Sequence, residues 1–215
     1  MIKEILKKLR LQINKVGSNF RKKKLNVQNP TIISNNCWAG IVSQYLGIKY
    51  YTPTVGLYFF AEEYIKFLER FDYYIKQDLK IIETKDSRYY EKMVKKNHKH
   101  AIVGKLDDVE IVFLHMKTEK EAIEKWNKRV QRINKKYIIF KFCEQNECTK
   151  KHVERFEKLP FKNKICFTTK DYPGYKSVIW FKNQVKNDEV LRDYYESHKY
   201  LNIIDYINNM EEENL

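Results

Sequence analysis

The sequence predicts an α/β fold: a mostly parallel sheet with helices on both faces, in a Rossmann-like three-layer architecture. Three observations carry this expectation. Short β-branched or apolar runs alternate with stretches of helical periodicity along most of the chain. A helix opening at Thr118 leads straight into the apolar run Tyr137-Ile138-Ile139-Phe140-Lys141-Phe142, completing a strand-helix-strand unit. The 215 residues, 43% hydrophobic and 33% charged, suffice for one core without metal or disulfide staples, so a single domain over 1–215 is expected.

Taken in order, Ile2, Ile5, Leu6, Leu9, Ile13 and Val16 fall at helical spacing and run into Arg21-Lys22-Lys23-Lys24. They predict a basic amphipathic helix within 1–28, which packs on the domain or docks on acidic lipid. Thr31-Ile32-Ile33-Ser34 predicts a strand, Asn35-Asn36-Cys37 a turn, and Trp38 onward a helix. Tyr50 to Gly56 reads as a loop, and Tyr64, Ile65, Phe67, Leu68 and Phe71 predict a helix over 61–76. Strands are expected over 79–82, 100–104 and 109–114, the last two forming a hairpin that turns at Leu106-Asp107-Asp108. Thr118 and Glu121 form a capping-box pattern for a helix reaching Asn134. After the 137–142 strand come a helix over 149–159, strands over 164–168 and 177–180, and helical segments from about Asp188 to an acidic, fraying tail.

The four cysteines match no zinc or redox motif, and free thiols in a reducing compartment are the simpler expectation. Met1 to Arg10 lacks the uninterrupted apolar core of a signal peptide, so the expected location is the cytoplasm, or the inner membrane face as a peripheral protein. Lys and Arg number 42 against 28 Asp and Glu, a formal net charge of +14 that favours anionic partners. Sugar phosphates, nucleotide sugars, a membrane surface and nucleic acid all satisfy that charge. Nucleic acid is the weaker option, because neither a helix-turn-helix nor an aromatic-studded RNA-binding signature occurs. A Lys-rich composition can also arise from codon bias with no functional demand.

In open α/β sheets ligands sit beyond the carboxyl ends of the strands. Asn35, Asn36 and Trp38 would occupy that edge, where two amides can bond a hydroxylated ligand and an indole can stack on a sugar or base; their plainer roles are helix capping and core filling. Cys37, at the helix start, would have a lowered pKa if exposed, as a thiolate nucleophile requires; otherwise it is a small packing residue. His115 ends a strand just before the Thr118 helix and is the candidate general base, provided its strand is parallel to the first. On that helix Lys125, Arg129 and Arg132 line one shoulder of the apolar stripe, where they can grip a phosphate or pair with Glu121 and Glu124. No Gly-rich phosphate loop, paired catalytic carboxylates or metal-ligand spacing occurs, and no cofactor is identified.

The segments Ser34-Asn35-Asn36-Cys37-Trp38-Ala39-Gly40, Tyr50-Tyr51-Thr52-Pro53-Thr54 and His115 to Asn134, with Lys125-Trp126, Arg129 and Arg132-Ile133-Asn134, resemble a bacterial family. It is the domain-of-unknown-function family nineteen-nineteen, commonly described as exopolysaccharide biosynthesis proteins. Ala39 stands where that pattern carries Gly, and Met116 where an aromatic follows the histidine. The resemblance implies an α/β fold and a role in exopolysaccharide or capsule biosynthesis. It brings no established catalytic residues; the expectation built on that context is a glycosyltransferase-like or other glycan-modifying protein that handles a phosphorylated or nucleotide-linked sugar. The alternative is a non-catalytic binding protein for an acidic polysaccharide or nucleic acid.

Overall fold

The computed structural model describes residues 16–215. The chain runs through α1 (Ser18–Lys23), β1 (Thr31–Ser34), α2 (Trp38–Leu46), β2 (Leu57–Tyr58), α3 (Ala61–Glu69), α4 (Phe71–Tyr74), β3 (Lys80–Ile82) and α5 (Tyr90–Lys95). It continues through β4 (Ile102–Leu106), β5 (Val109–Phe113), α6 (Glu119–Val130), β6 (Ile138–Cys143), α7 (Lys150–Lys158), β7 (Lys164–Thr168), β8 (Val178–Trp180), α8 (Asp193–Glu196) and α9 (Ile203–Asn208). The fold is α/β. Strands β1, β6, β7 and β8 form a wholly parallel sheet in that order.

Side chains alternate across this sheet with the period-two rule, and each face buries its own helices. Ile33, Phe140 and Phe142 pack with Tyr64 of α3, Trp126 of α6 and Phe156 of α7. Ile32, Ile139 and Phe167 pack on the opposite face with Trp38 and Leu46 of α2 and Ile207 of α9. So the helix that follows β1 covers one face and the helix that follows β6 covers the other. The carboxyl ends of these neighbouring strands therefore open a crevice between diverging connections, the usual ligand position in open α/β sheets.

A second sheet extends the expected architecture. The hairpin forms as the sequence predicts, with Leu106 opposite Val109 and Asp107 at φ 52° in the left-handed turn, although its first strand begins two residues later, at Ile102. It joins neither β1 nor β6. It pairs antiparallel with β2 and β3 in the order β2-β5-β4-β3. Local periodicity marks the hairpin, but its pairing with a two-residue strand some fifty positions earlier is not a local signal. Backbone bonds fasten this sheet to the carboxyl edge of the parallel one: Phe59 N–H donates to the Asn35 carbonyl at 3.0 Å, and Ala61 N–H to the Asn146 carbonyl at 2.9 Å.

The 61–76 helix breaks at Arg70 (φ −130°, ψ 44°), whose guanidinium lies 4.0 Å from the Tyr73 ring centroid. The Thr118 cap forms, its hydroxyl accepting from Glu121 N–H at 3.1 Å. The acidic tail is tied down rather than frayed: Glu213 Oε1 accepts from the N–H groups of Lys162 and Asn163 at 2.9 and 3.0 Å. Most of the expected amphipathic N-terminal helix lies outside the described residues; α1 starts after its own N-cap, Gly17. All four cysteines are free thiols. Among the described residues no helix is long and apolar enough to cross a membrane.

Candidate functional site

A cavity of about 860 Å³ opens beside the carboxyl end of β1. Cys37 and Trp38 enter its wall because they start α2; Leu114 and His115 enter from the end of β5; Tyr194 and Ser197 enter from the C-terminal segment around α8. The size suits a ligand as large as a nucleotide sugar. Ile41 of α2 and Leu201 add apolar surface, His198 a second imidazole. Among the described residues no Lys or Arg lines it.

The backbone reversal that delivers His115 depends on Gly56. Its φ is +76°, and its carbonyl accepts from the N–H groups of both Leu114 and His115, at 2.9 and 3.1 Å. The imidazoles of His115 and His198 are exposed and make no hydrogen bond among the described residues, so both can meet a ligand. His115 thus reaches the cavity alongside Cys37, but not for the reason the sequence suggests. Its strand is antiparallel within the second sheet, and that sheet's anchorage at Asn35 and Asn146 carries it there.

Behind the wall lies a buried polar cluster. Asn36, 8% exposed, accepts from Trp38 N–H at 3.1 Å and from Lys141 Nζ at 3.1 Å through Oδ1, and its Nδ2 donates to Asp193 Oδ2 at 2.9 Å. Lys141 and Asp193, both 0% exposed, form an ion pair. Asn35 is also fully buried; its Nδ2 donates to the Cys143 carbonyl at 3.0 Å, and its Oδ1 has no partner among the described residues. In this structure the side chains of both asparagines bond the sheet edge and its neighbours. Trp38 is 1% exposed, its Nε1 donating to Ser197 Oγ at 3.0 Å and its ring set edge-on to Phe167. It is a wall under the cavity, too enclosed to stack on a sugar.

The surroundings of Cys37 favour the protonated thiol over the thiolate. Burial pushes its thiol up to about 11, the Asp193 carboxylate adds to that, and the opposing pull of Lys141 does not cancel them. Desolvation thus overrides the helix terminus, which could lower the pKa only of an exposed thiol.

The cations of α6 lie apart from the cavity. Lys125 pairs with Glu121 on its own helix. Arg129, 9% exposed, donates from Nη1 to the Val55 carbonyl at 3.1 Å and lies 5.2 Å from the Tyr50 ring centroid, so it secures the loop before β2. Arg132 is half-buried, outside the lining. The helix ends at Val130, short of the expected Asn134, so Arg132 lies beyond it, and of the row Arg129 is the residue that meets the 50–56 loop.

A family model described as Domain of unknown function (DUF1919) matches residues 8–211, nearly the whole chain. The chain belongs to the DUF1919 family. A relative from Haemophilus influenzae (strain ATCC 51907 / DSM 11121 / KW20 / Rd), described as an uncharacterized protein, is 33% identical over 190 residues, covering 86% of this chain and 85% of the relative. Family membership supports the resemblance carried by the Asn-Asn-Cys-Trp and Lys-Trp segments, and it assigns no activity to DUF1919 proteins. Two residues of this DUF1919 site went unremarked in the sequence: Lys141, a lone charge inside an apolar strand, which is itself a signal, and Asp193, whose partner lies 52 positions away.

Proposed function

We propose that the cavity binds a phosphorylated or nucleotide-linked sugar and that the protein is a glycosyltransferase-like member of an exopolysaccharide or capsule pathway. The observation that carries this reading is the cavity itself. It lies beside the carboxyl end of β1, has the volume of a nucleotide sugar, and combines aromatic and apolar walls with a few polar groups, as small-molecule sites do. In this reading His115 is the general base. Its imidazole takes the proton of an acceptor hydroxyl as that oxygen attacks the anomeric carbon, and the bond to the departing phosphate breaks with its electron pair.

A second reading, a non-catalytic binder of acidic polysaccharide or nucleic acid, is favoured by one observation: the cationic surface, including the exposed Lys22, Lys23 and Lys24 at α1, lies outside the cavity. A thermal-shift panel separates the two. Nucleotide sugars, sugar phosphates, neutral sugars, acidic oligosaccharides and oligonucleotides are compared at equal concentration. A ligand at one hundred times its Kd stabilises the fold by about 2.7 kcal/mol. The transferase reading expects nucleotide sugars or sugar phosphates to raise the midpoint most. A response confined to the polyanions would overturn it in favour of the second.

A further inference from the structure

The buried cluster behind Cys37 and Trp38 has a composition that stability does not explain. Taking an ammonium and a carboxylate out of water costs about as much as their attraction returns, and apolar residues in their place are often neutral or better. Yet Lys141 interrupts an otherwise apolar central strand to meet Asp193. The carboxylate is well partnered: Oδ2 accepts from Lys141 Nζ and Asn36 Nδ2, and Oδ1 from the N–H of Tyr194 at 2.9 Å. Of these donors the Lys141 ammonium and the Asn36 amide stand outside α8, and an ammonium and an amide converging on one anion can equally bond a phosphate.

The cluster adjoins the cavity. Lys141 Nζ is 5.6 Å from the centroid of the Trp38 ring that walls it, and Cys37 feels the charge of both Lys141 and Asp193. Among the described residues the cavity lining supplies no Lys or Arg for a charged ligand. The anion that fills the donor set arrives on α8, from the same segment that brings Tyr194 and Ser197 to the cavity. Leading into that segment, Leu191 is 52% exposed and Arg192 sits at φ 54°, an uncommon value for a residue other than glycine.

We propose that Lys141 and Asn36 are the phosphate-recognition residues of the cavity, and that Asp193 is an internal anion which the phosphate of a ligand displaces. This rests on the reading that the cavity takes a phosphate-bearing ligand, and it adds where the phosphate goes and what must move. Exchange of one anion for another never leaves the buried Lys141 uncompensated, so entry of phosphate and release of α8 are coupled.

Inorganic pyrophosphate is the probe, with glucuronate as a carboxylate lacking phosphorus. In the unsubstituted protein, saturating pyrophosphate should speed amide hydrogen exchange across 192–200, because α8 is released, and glucuronate should not. Asp193→Asn, which keeps the shape and removes the competing charge, should bind pyrophosphate at least tenfold more tightly. Lys141→Met combined with Asp193→Leu replaces the pair by apolar groups; it should keep the melting temperature and lose pyrophosphate binding. Unchanged or slowed exchange in 192–200, an equal effect of glucuronate, or undiminished pyrophosphate affinity in a folded double variant would each overturn the proposal. Should either variant fail to fold, the exchange measurement on the unsubstituted protein decides alone. Pyrophosphate carries no sugar, so its failure to act would leave any sugar response intact, and a silent sugar panel would leave this result standing.

Discussion

Cys37, Arg129 and Lys141 show how burial redirects a residue from the role its type suggests. The raised pKa of Cys37 means that the fold favours the protonated thiol. This contribution to stability is fully present below about pH 9, the value of a free thiol, and is lost as pH rises towards 11. Alkylation of native protein by iodoacetamide at pH 7.5, read by peptide mass spectrometry at roughly one-hour intervals, should therefore leave Cys37 largely unmodified, with the rate climbing steeply as pH is raised. Rapid labelling at neutral pH would contradict the burial argument. Arg129→Gln should destabilise the fold by about 1.5–3 kcal/mol, the usual worth of a hydrogen bond to a charged group, because the Val55 carbonyl loses its donor. Ligand affinity of the cavity should not change, and denaturant titration beside ligand titration reads both. A weaker ligand with unaltered stability would instead make Arg129 part of an anion site. The residue types at this edge were legible in the sequence; which of them turn inward was not, because Asn36 is aimed by Lys141 and Asp193, more than a hundred positions further on.

At the scale of elements, what the sequence made legible is what local chemistry dictates. The turn from β1 into α2, the hairpin at Asp107 and the cap at Thr118 each form from a few adjacent residues. The second sheet and the cavity wall depend on long-range pairing: β2 is two residues long and gains its place only by bonding β5, and α8 is four residues held by Lys141 and Asn36. Gly56 is the hinge of that arrangement. An added Cβ would have to adopt φ +76° and would stand 3.2 Å from the His115 Cβ. Gly56→Ala should cost roughly 1–2 kcal/mol from the left-handed backbone and displace His115 as well. Chemical denaturation measures the first effect, and turnover or ligand affinity the second. A variant as stable as the parent would mean that the β2–β5 connection is looser than its two carbonyl bonds imply.

For the whole molecule, the charge of +14 and the cavity describe two separate surfaces. Polyanions held by surface lysines release counterions on binding, so their affinity should fall steeply with salt, in proportion to the phosphates neutralised. Among the described residues a ligand inside the cavity meets only one Lys or Arg, the buried Lys141, and its logarithmic salt slope should be about one or less. Titrations at several salt concentrations distinguish these modes, and a steep slope for a nucleotide sugar would move its site to the surface. The central claim is that ligand occupies the cavity between α2 and α8. Its most direct test is calorimetric titration of the sugar ligand with the largest thermal shift into the parent protein and into Ile41→Trp, whose indole fills the cavity from the half-buried side of α2. The parent should bind one equivalent saturably, and the variant, at an unchanged melting temperature, should bind none. Equal binding by both proteins would contradict the assignment of this cavity as the functional site.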